Sequence, residues 1–204
     1  MFTGIIQSTG TVGVVTAKGG DVEIRVDAPH FNLAEIHIGD SIACSGCCLT
    51  VTKIGGQSFF ADVSHESLAV TTLQSWRLGS EINLEPALRA GDALGGHYVS
   101  GHVDTIGSVS ALQEEGRSLR VHFEIPRALG RYVARKGSIC IDGVSLTVNG
   151  VSDQVATTVF DVNLIPHTRA QTILRNYQVG TQVNVEVDMM ARYLERMSAN
   201  SRVE

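Results

Sequence analysis

Apolar and polar residues alternate along short stretches of this chain, and Gly, Asn, Asp and Ser separate the stretches. The runs 21–28 (DVEIRVDA), 41–46 (SIACSG), 48–54 (CLTVTKI), 58–64 (SFFADVS) and 81–86 (EINLEP) each read as a short β-strand. Short helices are expected after HESLAVTTL (65–73) and HTRAQTIL (167–174). The tail differs. In residues 188–199, Met190, Tyr193, Leu194 and Met197 recur at i, i+3, i+4 and i+7, the stripe of an amphipathic helix. That stripe either covers a barrel end or packs against other subunits.

The strand pattern occurs twice. Residues 2–12 match 99–109 at a shift of 97, and 22–29 fall on 119–126 at the same shift. Residues 39–51 fall on 136–148 with six of thirteen positions identical. Beyond Gly150 the shift becomes 101, so that 61–73 meets 162–174 and 79–85 meets 180–186. Five blocks matched in order, with a single four-residue change of shift, mean a duplication. The chain divides into an N-terminal domain 1–97, a C-terminal domain 98–187 and a terminal helical element 188–204. Several strands in each copy fit an all-β fold of two small, closed antiparallel barrels, a closure that removes exposed sheet edges.

Composition narrows the function. With net charge -5 and lysine only at Lys18, Lys53 and Lys136, the chain lacks the dense basic surface that nucleic acid binding needs. No apolar run is long enough to span a bilayer, and the opening MFTGIIQSTG has no signal-peptide pattern, so a cytoplasmic protein is expected. Cys44, Cys47, Cys48 and Cys140 are then expected as free thiols. Cys44 and Cys47 form a C-x-x-C, but it lies in a strand-like run with no second pair of zinc ligands, so buried or substrate-facing thiols are the expectation and metal is not.

The opening MFTGI, the GCCLTV run, the linker GGHYVSGHVD and the IDGVSLTV run, in that order inside a duplication, resemble the riboflavin synthases of the alpha, lumazine-binding-repeat type. The resemblance implies two six-stranded Greek-key barrels, a C-terminal α-helix and a homotrimer held partly by that helix, with lumazine synthase a further partner. It also implies a transferase of riboflavin biosynthesis. Two molecules of 6,7-dimethyl-8-ribityllumazine exchange a four-carbon unit, giving riboflavin and 5-amino-6-ribitylaminouracil. Two nearly identical substrates account for two nearly identical pockets, one lumazine held by an N-terminal barrel and the other by the C-terminal barrel of a neighbouring subunit. No cofactor is expected: G-x-G-x-x-G after a strand, a P-loop and H-E-x-x-H are all missing from the sequence.

The candidate residues fall at matched positions. Cys48 and Ser145 each precede Leu-Thr-Val. In a strand Cys48 and Thr50 share one face with Leu49 on the other, and Ser145 and Thr147 likewise flank Leu146. The resemblance sets both pairs against the pteridine. His102 stands where the first copy has Ile5, a candidate base, while His97 is the less attractive histidine. Ser41 is favoured for the catalytic set, and Asp188 is either an N-cap or an active-site carboxylate. Phe2 is expected to stack on a flat heterocycle.

Three segments complete each pocket. Gly4, Ile5 and Ile6, with their matches Gly101, His102 and Val103, offer backbone groups to the pyrimidine edge. The ribityl chains, rich in hydroxyls, call for polar segments: Asp62, Val63, Ser64, His65, Glu66 and Ser67 in one copy, Asn163, Leu164, Ile165, Pro166, His167 and Thr168 in the other. Lys136, where the first copy has Gly39, reaches the second ligand in the family. The rival readings are a non-catalytic lumazine- or flavin-binding antenna protein of the same fold and a barrel serving only as an interaction domain.

Overall fold

The computed structural model describes residues 1–200, so the last four residues of the expected terminal element lie outside it. The first copy forms β1 (Ser8–Lys18), β2 (Asp21–Asp27), β3 (Ser41–Cys44), β4 (Cys47–Gly55), β5 (Ser58–Val63) and β6 (Glu81–Pro86). The second forms β7 (Thr105–Glu115), β8 (Ser118–Pro126), β9 (Ser138–Ile141), β10 (Val144–Asp153), β11 (Thr157–Leu164) and β12 (Gln182–Val187). Each set closes into a six-stranded antiparallel barrel, with order β1-β2-β5-β4-β3-β6 in the first and the same order in the second. Every inward-facing apolar residue then lies inside a tube, and two clusters built on Phe59 and on Phe123 and Phe160 fill the two tubes.

The barrels close because matched strands bend at matched places. Register shifts fall between Val12 and Val14 and between Val51 and Lys53 in the first barrel. Their counterparts lie between Val109 and Ala111 and between Val148 and Gly150. An extra residue on one strand sharpens its local twist and turns a flat sheet toward closure.

The short helices lie slightly earlier than the sequence reading placed them. Helix α1 (His65–Val70) and helix α2 (Pro166–Gln171) start inside the HESLAV and PHTRAQ runs, not after them. Ser64 accepts a hydrogen bond from the Ser67 N–H and Pro166 supplies the fixed φ of a first helical residue, so the stop at the end of the strand is also the start of the helix. Helix α3 (Met189–Asn200) follows β12 directly. It docks on the second barrel through polar groups: Glu195 meets Arg131 and the Tyr132 hydroxyl, and Arg192 meets Asp104. Its apolar stripe therefore points away from the barrels, with Met190, Tyr193, Leu194 and Met197 each at least 60% exposed. Covering a barrel end is not its role here. Among the described residues no helix is long and apolar enough to cross a membrane.

The barrels meet through equivalent residues. Phe2 pairs with Val99 as an antiparallel bridge, and Phe2, Ala43, Val99 and Cys140 form a separate buried cluster between the barrels. Asn83 donates to the Asp142 carbonyl while Asn184 donates to the Ser45 carbonyl. Reciprocal contacts between matched positions define a pseudo-twofold relation.

Candidate active site

The loop-to-strand segments cross between the barrels. Cys48 on β4 donates its N–H to the Gly101 carbonyl at 2.9 Å, and Ser145 on β10 donates to the Gly4 carbonyl at 2.8 Å. The Val103 side chain packs on the first barrel's core and Ile6 on the second's. Each half-site is thus a barrel wall completed by the segment that precedes the opposite barrel. The close approach demands glycine. A Cβ on Gly4, which sits at φ +76, would fall 2.5 Å from Ser145 Cβ, and one on Gly101, at φ +80, would fall 2.6 Å from Cys48 Cβ.

On each barrel wall the strand register lines up a polar row. Ser41 is paired with Thr50 across β3 and β4, and Ser138 with Thr147 across β9 and β10. Val51 is paired with Ala61 and Val148 with Val162, so one step along the register sets Asp62 beside Thr50 and Asn163 beside Thr147. Leu49, Leu146, Val63 and Leu164 point into the cores, which turns Cys48, Thr50, Ser145 and Thr147 outward. Ser64, His65, Glu66, Ile165, Pro166 and His167 are exposed, and Ser67 and Thr168 half-buried. These side chains line the ends of β5 and β11 beyond the polar rows. Asp62 lies 3.8 Å from Lys18, and Asn163 donates to Glu115.

The two half-sites differ at their reactive positions. Lys136 stands at φ +66, the left-handed region, at the place Gly39 fills with φ +97 in the first barrel. Both N–H groups make the same bond, to Val148 and Val51 respectively, so the lysine accepts a conformation that glycine adopts without strain. Its ammonium is exposed on the same barrel face, 3.5 Å from Asn149 Oδ1.

His97, the less attractive histidine in the sequence, is the one that meets Ser145. Its Nδ1 lies 2.6 Å from Ser145 Oγ, and the ring is 8% exposed. Burial pulls its pKa below the ordinary histidine value, with the Asp188 carboxylate pulling the other way, so the ring is neutral near pH 7. Gly96 makes that contact possible: a Cβ there would lie 2.1 Å from the Thr3 carbonyl and 3.0 Å from Ser145 Oγ. His102 itself is exposed, and its backbone N–H donates to Ser100 Oγ. Phe2, expected to stack on a flat heterocycle, is enclosed in this structure. Its ring is fully buried between the barrels, against Ala43, Val99 and Cys140, because the antiparallel bridge to Val99 turns it inward. It packs beside the crossing, its Cε2 2.9 Å from where a Cβ on Gly101 would lie. Asp188 caps α3 by accepting the Met190 N–H at 2.9 Å, and its charge reaches His97.

Three buried carboxyls that sequence reasoning passed over lie at the seam, and two of them hold the crossing. Glu85 Oε1 accepts from the Thr3 N–H and hydroxyl, both at 2.6 Å, and Oε2 from the Gly4 N–H at 3.0 Å. Glu186 repeats this with Ser100 and Gly101 at 2.6, 2.7 and 2.9 Å. Asp142 accepts from the Tyr177 hydroxyl and the Asn184 N–H. Burial raises all three pKa values, that of Asp142 to about 7. The signal available in the sequence was the recurrence of N-x-E at 83–85 and 184–186. Cys44 and Cys47 face each other across the β3–β4 hairpin inside the core, where burial pushes both thiols up, and neither meets the site.

The comparisons with known proteins agree with this architecture. The lumazine binding domain model matches residues 3–87 and again 100–188. A riboflavin synthase of Photobacterium leiognathi is 43% identical over 204 residues, covering 100% of this chain and 92% of its own length. One from Photobacterium phosphoreum is 42% identical over 197 residues, 97% of this chain and 88% of that protein. Among solved structures, LumP complexed with 6,7-dimethyl-8-(1'-D-ribityl) lumazine superposes with a TM-score of 0.81 at 26% identity, covering 92% of this chain and 99% of that one. Two crossed half-sites, two matches to one domain and relatives aligned from end to end lead to one statement: the chain belongs to the riboflavin synthase family of paired lumazine-binding domains.

Proposed function

We propose that this chain catalyses the dismutation of two 6,7-dimethyl-8-ribityllumazine molecules to riboflavin and 5-amino-6-ribitylaminouracil. The observation that carries the reading is the pair of half-sites with one build and two chemistries, a thiol at Cys48 and a hydroxyl bonded to histidine at Ser145. Two copies of one substrate need two similar pockets. Donor and acceptor roles need them to differ.

The atoms of the two products are those of the two substrates, so the reaction needs no oxidant, reductant or water. The lumazine ring delocalises the charge left when its C7 methyl loses a proton, and the protein's part is orientation and proton handling. In this reading Thr50 and Thr147 hold the ring edges, with Ser41 beside Thr50. The carbonyls and N–H groups of residues 4–6 and 101–103 meet the pyrimidines. Asp62, Ser64, Ser67, Asn163 and Thr168 take the ribityl hydroxyls, and Lys136 meets the second ligand. Ser145 or Cys48 supplies the nucleophile, with His97, His102 and Asp188 as the nearby proton carriers. The exposed stripe of α3 assembles a homotrimer in the cytoplasm, which brings half-sites of neighbouring subunits together, and lumazine synthase is the partner that would deliver the substrate.

Incubating the protein with the lumazine alone and following riboflavin absorbance tests this. One riboflavin for every two lumazines consumed is the expected result. Tight binding without turnover would mean a lumazine antenna, the role that the LumP-like fold could also serve.

A further inference from the structure

Beyond the residues that would touch ligand, we infer that Glu85 and Glu186 are positioning residues that act crosswise, each setting the half-site of the barrel it does not belong to. This inference rests on the proposed function. Glu85 stands on β6 of the first barrel, yet the backbone it grips, Thr3 and Gly4, closes the half-site around Ser145 of the second. Glu186 stands on β12 of the second barrel and grips Ser100 and Gly101, which close the half-site around Cys48.

Each grip continues by one relay. The Thr3 hydroxyl donates to Glu85 and accepts from the Ile5 N–H at 3.2 Å; the Ser100 hydroxyl donates to Glu186 and accepts from the His102 N–H at 3.2 Å. A carboxylate buried between the barrels thus fixes the backbone as far as the residue that faces the opposite pocket. Both carboxylates are 3% exposed and each accepts at both oxygens. Glutamine would keep one acceptor and turn an N–H donor against a second N–H donor, so the segment would shift. The glycine beside it has little slack, because even a Cβ on it would fall 2.5 Å (Gly4) or 2.6 Å (Gly101) from the Cβ of the opposite strand's residue. A residue with a merely structural role would weaken its own barrel or both alike. Crosswise loss is the distinguishing mark.

Thiol protection reads each half-site separately. Cys48 is half-buried, whereas Cys44, Cys47 and Cys140 are buried, so iodoacetamide reports on Cys48. Cys48→Ser combined with Ser145→Cys moves the reporting thiol to the other barrel. Riboflavin is the protecting probe, titrated against the intact chain. Glu186→Gln should raise the riboflavin concentration needed to protect Cys48 by about tenfold and leave the other reporter within about twofold, and Glu85→Gln should do the reverse. Thr3→Val and Ser100→Ala, which break only the relay, should act on the same half-sites with smaller shifts and carry the test if a glutamine variant fails to fold. Weakening of the same barrel, of both equally, or of neither would overturn the inference. Riboflavin that protects neither reporter while Glu85 and Glu186 are intact would overturn the functional reading and this inference with it. Protection at both without the crossing would overturn the inference alone.

Discussion

The two barrels share their scaffold and differ where chemistry would happen. Gly4 and Gly101, Thr3 and Ser100, Asn83 and Asn184, and Glu85 and Glu186 make the same bonds on the two sides of the seam. Against this, Cys48 faces Ser145 across the repeat, Ile5 faces His102, Gly39 faces Lys136, and Ser45 faces Asp142. The duplicated chain has kept the parts that build the crossing and changed residues around it, among them those proposed to act on substrate. That division lets each copy serve as the control for the other.

The largest effect on turnover should come from filling the crossing. Gly4→Ala forces a Cβ into Ser145 and puts a side chain at positive φ, at a combined cost of about 3 kcal/mol. Turnover should fall on the order of a hundredfold, since a displacement near 1 Å at a positioned group is enough. Gly101→Ala should do the same through Cys48. Urea unfolding and steady-state rates measure both, and a variant that keeps full activity would break the crossed-site description.

A second readout is the pH response of the seam, to which Asp142 adds a buried carboxyl where the first copy has Ser45. Its folded pKa of about 7 lies above the ordinary 3.8, so the carboxyl favours the folded state most below about pH 4 and loses that contribution as pH rises through 7. The stability of the wild type relative to Asp142→Asn should fall by on the order of 4 kcal/mol between pH 4 and pH 8. Denaturant midpoints at a series of pH values give the comparison. A constant difference would show that Asp142 does not titrate in that window.

Much of this was legible beforehand, for identifiable reasons. Period-two alternation set Leu49 and Leu146 inward and so exposed Cys48, Thr50, Ser145 and Thr147, as the barrels show. The repeat register marked Gly4 and Gly101 as equivalent. It could not say which barrel each segment closes, because an internal alignment relates copies and carries no contact between them. Glu85 and Glu186 escaped notice because a charged residue in an alternating strand reads as solvent-facing, whereas both faces of β6 and β12 are buried at the seam. His97 was ranked below His102 because only packing reveals Gly96 beside Ser145.

A smaller effect sharpens the comparison at one position. Lys136→Gly should relieve the left-handed strain and stabilise the fold by up to about 1 kcal/mol while reducing turnover. Gly39→Lys should cost a similar amount in the first barrel with little gain. Thermal unfolding alongside rates separates the two; equal losses of stability and activity in Lys136→Gly would remove the functional reading of the strain.

The most direct measurement is the number of riboflavin sites per chain, by calorimetric titration of the intact protein. The account requires two sites of unequal affinity, one of them lost in Gly4→Ala and the other in Gly101→Ala. A single site per chain, or two that disappear together, would contradict the claim that each barrel carries a pocket completed by the segment leading into the other.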